Sequence, residues 1–331
     1  MYKVDKKSKY GADVRILNRE EIVSLSDFNS MAEAIERSYI AVSNGGATIP
    51  PVGYLPLAQH NGDCHVKFGH LHGDSVFIVK IATGFYGNAK LGLPTSNGMM
   101  VALSAQTGEV VAILQDEGFL TDLRTAIGAA IATRKLAKPS AKNVLVVGAG
   151  IQATQQILAL KNLMPERTFN FKVWARSAEK LAKFVEEMNA ADCKLSQCTN
   201  LELGCGEAEI IMTTTPSRTP IIMDEWVQTG THITASGADA PGKSELDISL
   251  IKRAHILVAD KIDQCLDHGE FANANAAGLI SQNDCVELGN VLANKKLGRQ
   301  TNDQITIADL TGLASQDIAA ARTVLEADGV V

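Results

Sequence analysis

His65 and Lys67 stand two residues apart in the run DCHVKFGHLHGDSVFIVKIATGFYGN, and Lys80 closes the alternating stretch FIVK. In an extended chain, residues two apart share a face. Two neighbouring strands would therefore set His65, Lys67 and Lys80 on one side and give Val66 and Phe68 to the other. Such a basic row is either a solvated sheet face or a pocket for an anion. His70 and His72 read as surface or turn residues.

A second chemical signal follows at NVLVVGAGIQATQQILALKNL. Four apolar β-formers run into Gly148-Ala-Gly150-Ile-Gln-Ala153, and helical spacing begins at once. Gly148 permits a tight turn, Gly150 lets the backbone approach a pyrophosphate, and Ala153 allows close packing of helix on strand. Free N–H groups and the positive dipole end at the helix start favour phosphate. The next strand, FKVW, runs on into Ala175-Arg176-Ser177, where an NAD enzyme would place an acid for the ribose 2′-hydroxyl. An Arg and a Ser there suit a 2′-phosphate, so Arg176 leans the site towards NADP. Thr213-Thr214-Thr215-Pro216 ends a further strand, the position where ligands gather in open α/β sheets.

The elements that position these groups fall into two patterns. VRIL (14–17) reads as a strand, Asn18 as the N-cap of a helix, and 27–42 as a helix ended by NGG. From Ile49 to about Leu114, short alternating runs broken by Gly, Asn and Pro predict a mostly antiparallel sheet, with two strands paired around AQTG (105–108). EGFLTDLRTAIGAAIATRKLA turns helical, with Thr121 as candidate N-cap and small residues for close packing. After the linker 137–143, strands alternate with helices through VLVV, FKVW, EIIMTTT, HITASG, a short helix near Glu245, and ILVAD. That alternation predicts a Rossmann-type, doubly wound parallel sheet beside an α+β domain. The last helix, after ITIADLTG, is expected to pack back on the N-terminal domain. The domain reading is 1–125 with 312–331 for substrate binding and dimerisation, and 126–311 for the dinucleotide.

Composition narrows the partners. The 331 residues carry 31 Lys+Arg against 37 Asp+Glu, a net charge of −6. That argues against nucleic acid, whose phosphates need a basic face, but a pocket can still be locally positive. No apolar run approaches the roughly 20 residues of a membrane-spanning helix, and the polar start MYKVDKKSKYGADVR is not a secretory signal. Cysteines at 64, 193, 198, 205, 265 and 285 form no close pair. They read as reduced thiols of a cytoplasmic protein, and metal binding is not expected.

The segments GLPTSNG (92–98), LTDLRTA (120–126), GAGIQA (148–153), TTTPSRTP (213–220), GADAPGKSELD (237–247) and DLTGLASQD (309–317) together resemble the ornithine cyclodeaminase/mu-crystallin family over nearly the whole chain. HVKFGH, the GFYGN…GLPTSNG run and TTTPSRTP look most like its iminosuccinate reductase and ectoine-utilisation subgroup. The resemblance implies NAD(H) or NADP(H) as cofactor, chemistry at the Cα–N bond of an amino or imino acid, and a homodimer. By motif it makes Lys80 the lysine for the substrate carboxylate and Asp239 the proton donor or acceptor. It sets Arg124 where substrate or cofactor phosphate binds, and Thr311 at the substrate. Thr95, Ile151, Gln152, Thr213, Thr214, Lys243 and Leu310 fall on nucleotide-contacting positions.

One departure stands out. Cyclodeaminases and alanine dehydrogenases of the family commonly read Pro-Pro-Arg where this chain has Pro50-Pro51-Val52, and that Arg helps hold the substrate carboxylate. His65 and Lys67 would supply the missing cation from a neighbouring strand. The expected reaction is reduction of a small 2-imino acid, best matched by iminosuccinate to aspartate. The alternatives are an ornithine- or lysine-type cyclodeaminase, an alanine dehydrogenase-like enzyme, and an NADP-linked binding protein of mu-crystallin type.

Overall fold

The computed structural model describes residues 14–331. The polar stretch ahead of residue 14, and the signal-peptide reading attached to it, lies outside them. Two sheets organise the rest. The first holds β1 (Arg15–Leu17), β2 (Ala47–Thr48), β3 (Gly53–Leu57), β4 (Gly62–Leu71), β5 (Val76–Phe85), β6 (Ser96–Ser104) and β7 (Val110–Leu114). Their order is β1-β7-β6-β5-β4-β2, with β3 also on β4. Every pair is antiparallel except β1 on β7. The turn at AQTG forms as expected: Gly108 takes φ +74° and donates its N–H to the Ser104 carbonyl at 2.9 Å.

The inward face of this sheet carries Leu17, Ile78, Met100 and Leu114, and three helices cover it. Helix Phe28–Ser43 starts at Asp27 and buries Met31, Ile35 and Tyr39, each four residues after the last. Helix Phe119–Leu136 passes on to the second sheet, and its small residues allow a tight crossing. A Cβ on Gly128 would stand 2.5 Å from both the Tyr39 hydroxyl and the Gln316 amide. Thr121 is not its N-cap. The helix starts two residues earlier, with Gly118 at φ +87° in the cap position and the Asp116 carboxylate accepting the Leu120 N–H at 2.9 Å. An acid one turn upstream satisfies that end before Thr121 is reached. The closing helix, Ala314–Ala327, packs on the first sheet and its helices, as expected.

The second sheet is wholly parallel. It comprises β8 (Asn143–Val147), β9 (Asn170–Trp174), β10 (Leu195–Gln197), β11 (Ile210–Thr213), β12 (His232–Ala235), β13 (Ile256–Ala259), β14 (Cys285–Glu287) and β15 (Thr306–Asp309). The order β10-β9-β8-β11-β12-β15-β13-β14 reverses direction between β8 and β11. The crevice outside the carboxyl ends of those two strands is where an open α/β sheet binds its ligand. Apolar clusters cover both faces. The short helix foreseen near Glu245 begins later, at Ile248, with Asp247 as N-cap. Glu245 itself is held in a loop that binds strand ends together.

Candidate active site

The crevice at β8 and β11 is shaped by its glycines. Gly148 takes φ +128°, and a Cβ there would lie 2.3 Å from the Thr214 hydroxyl, so only glycine fits. Gly150 has nothing within 4 Å of a built Cβ. That is the open approach a pyrophosphate needs, at the start of helix Ile151–Leu163. Gln152 donates to Asp122 at 2.9 Å, while its Oε1 is buried with no partner among the described residues. Arg176 is exposed just past β9 and has no partner among the described residues, and Ser177 caps the following helix. A glycine cradle, a helix dipole, an unmatched amide oxygen and an unengaged cation fit a nicotinamide dinucleotide. Thr213 does not face this crevice with its hydroxyl, which donates to Glu245 at 2.6 Å. Leu310 follows β15, and Thr95 lies exposed before β6.

The basic row of β4 and β5 turns inward, and the β register sets Lys67 directly opposite Lys80. Lys67 donates to the Gly312 carbonyl at 2.7 Å and reaches the Thr311 carbonyl at 3.4 Å. Lys80, only 2 % exposed, lies 2.8 Å from each carboxylate oxygen of Asp317. Arg124 Nε stands 2.8 Å from the same carboxylate, and its Nη1 donates to Gln316 at 3.3 Å. The guanidinium lies against Gly312, where a Cβ would come within 2.5 Å of it. The turn itself is anchored by Asp260, which accepts from Thr311 Oγ1 at 2.9 Å and from Gly312 N–H at 2.7 Å.

Burial and crowding set the charges. Burial and Arg124 pull the Lys80 ammonium down to about 7, against the pull of Asp317. The same two causes lower Lys67. Burial opposes ionisation of Asp317, yet Arg124, Lys80 and Lys67 hold its carboxyl below the usual range.

A cleft of about 450 Å³ opens in front of this row, lined among others by Val52, Tyr54, His65, Lys67, Asp239 and Leu313. Asp239 lies 2.5 Å from Lys243, the lysine that the motif gave to the nucleotide. Burial opposes it, but Lys243, Lys67 and His65 keep the Asp239 carboxyl below its ordinary range. His65 is 3.5 Å from Asp63 and its ring centroid lies 5.0 Å from that of Tyr54. Burial and then Lys67 lower its affinity for a proton. His65, Lys67 and Asp239 thus meet on one cleft, with Lys80 and Arg124 beside them and nearly closed off.

Several residues at this centre carried no role in the sequence reading. Asp317 and Gln316 close a recognisable motif, but an acid in the first turn of an amphipathic helix ordinarily faces water. Glu245 gathers the Thr213 hydroxyl, the Thr215 N–H and hydroxyl, and the Gly237 N–H. Glu270 in turn accepts the N–H groups of Glu245 and Leu246. Only the three-dimensional closure of the strand ends brings these acids under the crevice.

Fold and crevice define a dinucleotide-dependent oxidoreductase of the doubly wound class. More particularly, the chain belongs to the ornithine cyclodeaminase/mu-crystallin family, whose model matches residues 13–328. An uncharacterized cyclodeaminase of Sinorhizobium fredii is 41 % identical over 284 residues, 85 % of each chain. An archaeal alanine dehydrogenase, solved as a dimer with bound NAD, superposes with a TM-score of 0.86 at 34 % identity, covering 95 % of each chain. The iminosuccinate reductase of Paracoccus denitrificans, solved with NAD+, gives a TM-score of 0.84 at 31 % identity, covering 96 % of this chain and 98 % of its own.

Proposed function

We propose that this protein reduces the imine of a small 2-oxo dicarboxylate with NAD(P)H, the best match being iminosuccinate to aspartate. The charge count beside the cleft carries the reading. Lys80 and Arg124 touch a single carboxylate, Asp317, while Lys67 stands beside them and donates to the Gly312 carbonyl. With these groups ionised, two positive charges are left over, and a substrate with two carboxylates balances them. Lys80 and Arg124 take the carboxylate next to the imine, and Lys67 with His65 takes the distal one. That division replaces the arginine lost at Val52.

The bound dinucleotide supplies hydride to the imine carbon. Asp239, kept ionised by Lys243, accepts an N–H from the protonated imine and so stabilises the form that takes hydride best. The amine formed then takes up a proton from water in the cleft. The walls around Val52 and Tyr54 hold the substrate in line and limit water at the reacting carbon.

The working unit in this reading is a homodimer in the cytoplasm. The six cysteines are free thiols, which suits a reducing compartment. Substrate and dimer contacts belong to 1–125 with 312–331, and the dinucleotide to 126–311. The outer face of the first sheet shows Ile16, Phe68, Ile81 and Met99 to solvent, each more than a third exposed. A second copy covering that face removes an apolar patch that a lone chain rarely leaves open.

Oxidation of NADH and NADPH tests the reaction, with oxaloacetate plus ammonia against pyruvate plus ammonia. Fast turnover only with the dicarboxylate supports the two-anion site; preference for pyruvate would move the protein to alanine dehydrogenase-like work. A redox-neutral cyclodeamination is the second reading, favoured by Asp263 and Asp267 on the cleft, which could receive a distal ammonium. Ammonia release from ornithine with no net change in the dinucleotide would select it.

A further inference from the structure

Asp317 stands out as a buried ionic group on which the two innermost cations converge. It is 1 % exposed, in the first turn of the closing helix, and touches Lys80 from β5 and Arg124 from helix Phe119–Leu136. The same turn of chain offers the Gly312 carbonyl to Lys67 and the Gln316 amide oxygen to Arg124. We propose that Asp317 is a positioning residue that fixes Lys80 and Arg124 as one paired-cation seat for the substrate carboxylate adjacent to the imine. The proposal rests on the imine-reductase reading above.

The geometry requires such a counter-ion. Lys80 is faced by Arg124 and by Lys67 of β4, and its partner across β6 is the uncharged Met100. Asp116 and Asp122, before and within the first turn of helix Phe119–Leu136, act on it at longer range and are themselves pushed towards the neutral form by burial. Asp317 is the carboxylate in contact. Without it, burial and two neighbouring cations would strip the proton from Lys80 at neutral pH, and Arg124 would keep only its hold on Gln316. The carboxylate also sets the spacing of the pair, because Lys80 sees both of its oxygens while Arg124 Nε takes one. A substrate carboxylate then meets two cations already aimed, rather than two flexible side chains that must be ordered on binding.

A purely structural bolt between the closing helix and the first sheet would show only in stability, so the test reads charge and binding instead. In protein labelled with 13C at lysine Cε, the Lys80 titration is followed directly in wild type, Asp317→Asn and Asp317→Glu, with no substrate present. Asp317→Asn should lower the Lys80 midpoint by roughly one pH unit or more. It should raise KM for the imine by about tenfold with a smaller change in kcat, and leave NAD(P)H binding as it was. Asp317→Glu, which keeps the charge and shifts its position by one methylene, should restore the midpoint and only part of the KM. If Asp317→Asn fails to fold, Asp317→Glu decides alone: a wild-type midpoint with a raised KM supports positioning, and an unchanged KM overturns it. An unmoved Lys80 midpoint and unmoved KM in a folded Asp317→Asn, with only a lower melting temperature, would overturn the proposal. A shifted midpoint in a chain that turns over no imine would sink the imine reading and leave Asp317 as the residue that charges Lys80.

Discussion

The two sheets build polar sites in opposite ways. The parallel sheet is largely apolar on both faces, with a small uncharged polar cluster of His232, Thr234 and Thr306, and keeps its acids and glycines at the carboxyl ends of its strands, where Gly148, Thr214, Glu245 and Asp309 lie. The first sheet carries its charges on a face, and on the inner one. Lys67 and Lys80 point at the helices, while Phe68 and Ile81, one residue along, point out. A half-covered antiparallel sheet normally alternates apolar in and polar out. In the function proposed above, reversal of that rule at Lys67 and Lys80 makes the inner surface a binding wall and the outer one an interface.

Charging the outer face should break that reading most severely. Phe68→Asp with Ile81→Asp places four carboxylates in a two-fold interface, and each lost apolar side chain forfeits about 1.5–3 kcal/mol. The expected outcome is a monomer by sedimentation, still folded by circular dichroism. A dimer of unchanged affinity would show that the partner sits elsewhere.

The inner face is tested next. Lys67→Ala should cut kcat/KM for the dicarboxylate imine by about 100-fold, the loss of one buried charge-assisted contact, and spare the pyruvate imine. Equal losses on both substrates would return Lys67 to a role in holding the Gly312 turn.

The strand ends of the second sheet respond to pH instead. Burial and the neighbouring Glu245 raise Glu270 to about 8, well above its unfolded value. Below about 4.5 both states hold the proton. Between about 4.5 and 8 the unfolded chain releases it and the folded chain does not, so this group's contribution to stability falls as pH rises. Glu270→Gln should remove that slope. Relative to wild type, its unfolding free energy should gain on the order of 3 kcal/mol between pH 5 and pH 8, read from urea melts at both. Parallel curves for the two proteins would show that Glu270 is ionised in the fold.

Much of this was legible in the residues and some was not. The glycine cradle, the doubly wound sheet and the AQTG hairpin are local: each depends on a few neighbouring residues whose types allow little else. The alternation of HVKFGH located the basic row and put Lys67 and Lys80 on one face, but alternation alone leaves open which face is buried. Asp317 and Glu270 were silent because their meaning comes from contacts 237 and 25 residues away. The capping error at Thr121 has the same origin on a smaller scale, since Asp116 reaches forward into a helix whose start its own position does not announce.

The smallest effect is expected at the far end of the parallel sheet, and it asks whether strand ends alone choose the cofactor. Arg176 follows β9 where an acid would receive the ribose 2′-hydroxyl, and Ser177 is occupied in capping its helix. Exposure leaves the guanidinium free to meet a 2′-phosphate but also weakens the gain, because water screens it. Arg176→Ala should raise KM for NADPH by about tenfold, near 1.4 kcal/mol, and change KM for NADH little. Isothermal titration with both dinucleotides checks this without any assumption about the substrate. A loss shared equally by NADH would place Arg176 over the adenine ring, where it reads the base and is indifferent to the 2′ position. Cofactor choice would then rest on residues beyond the β9 turn.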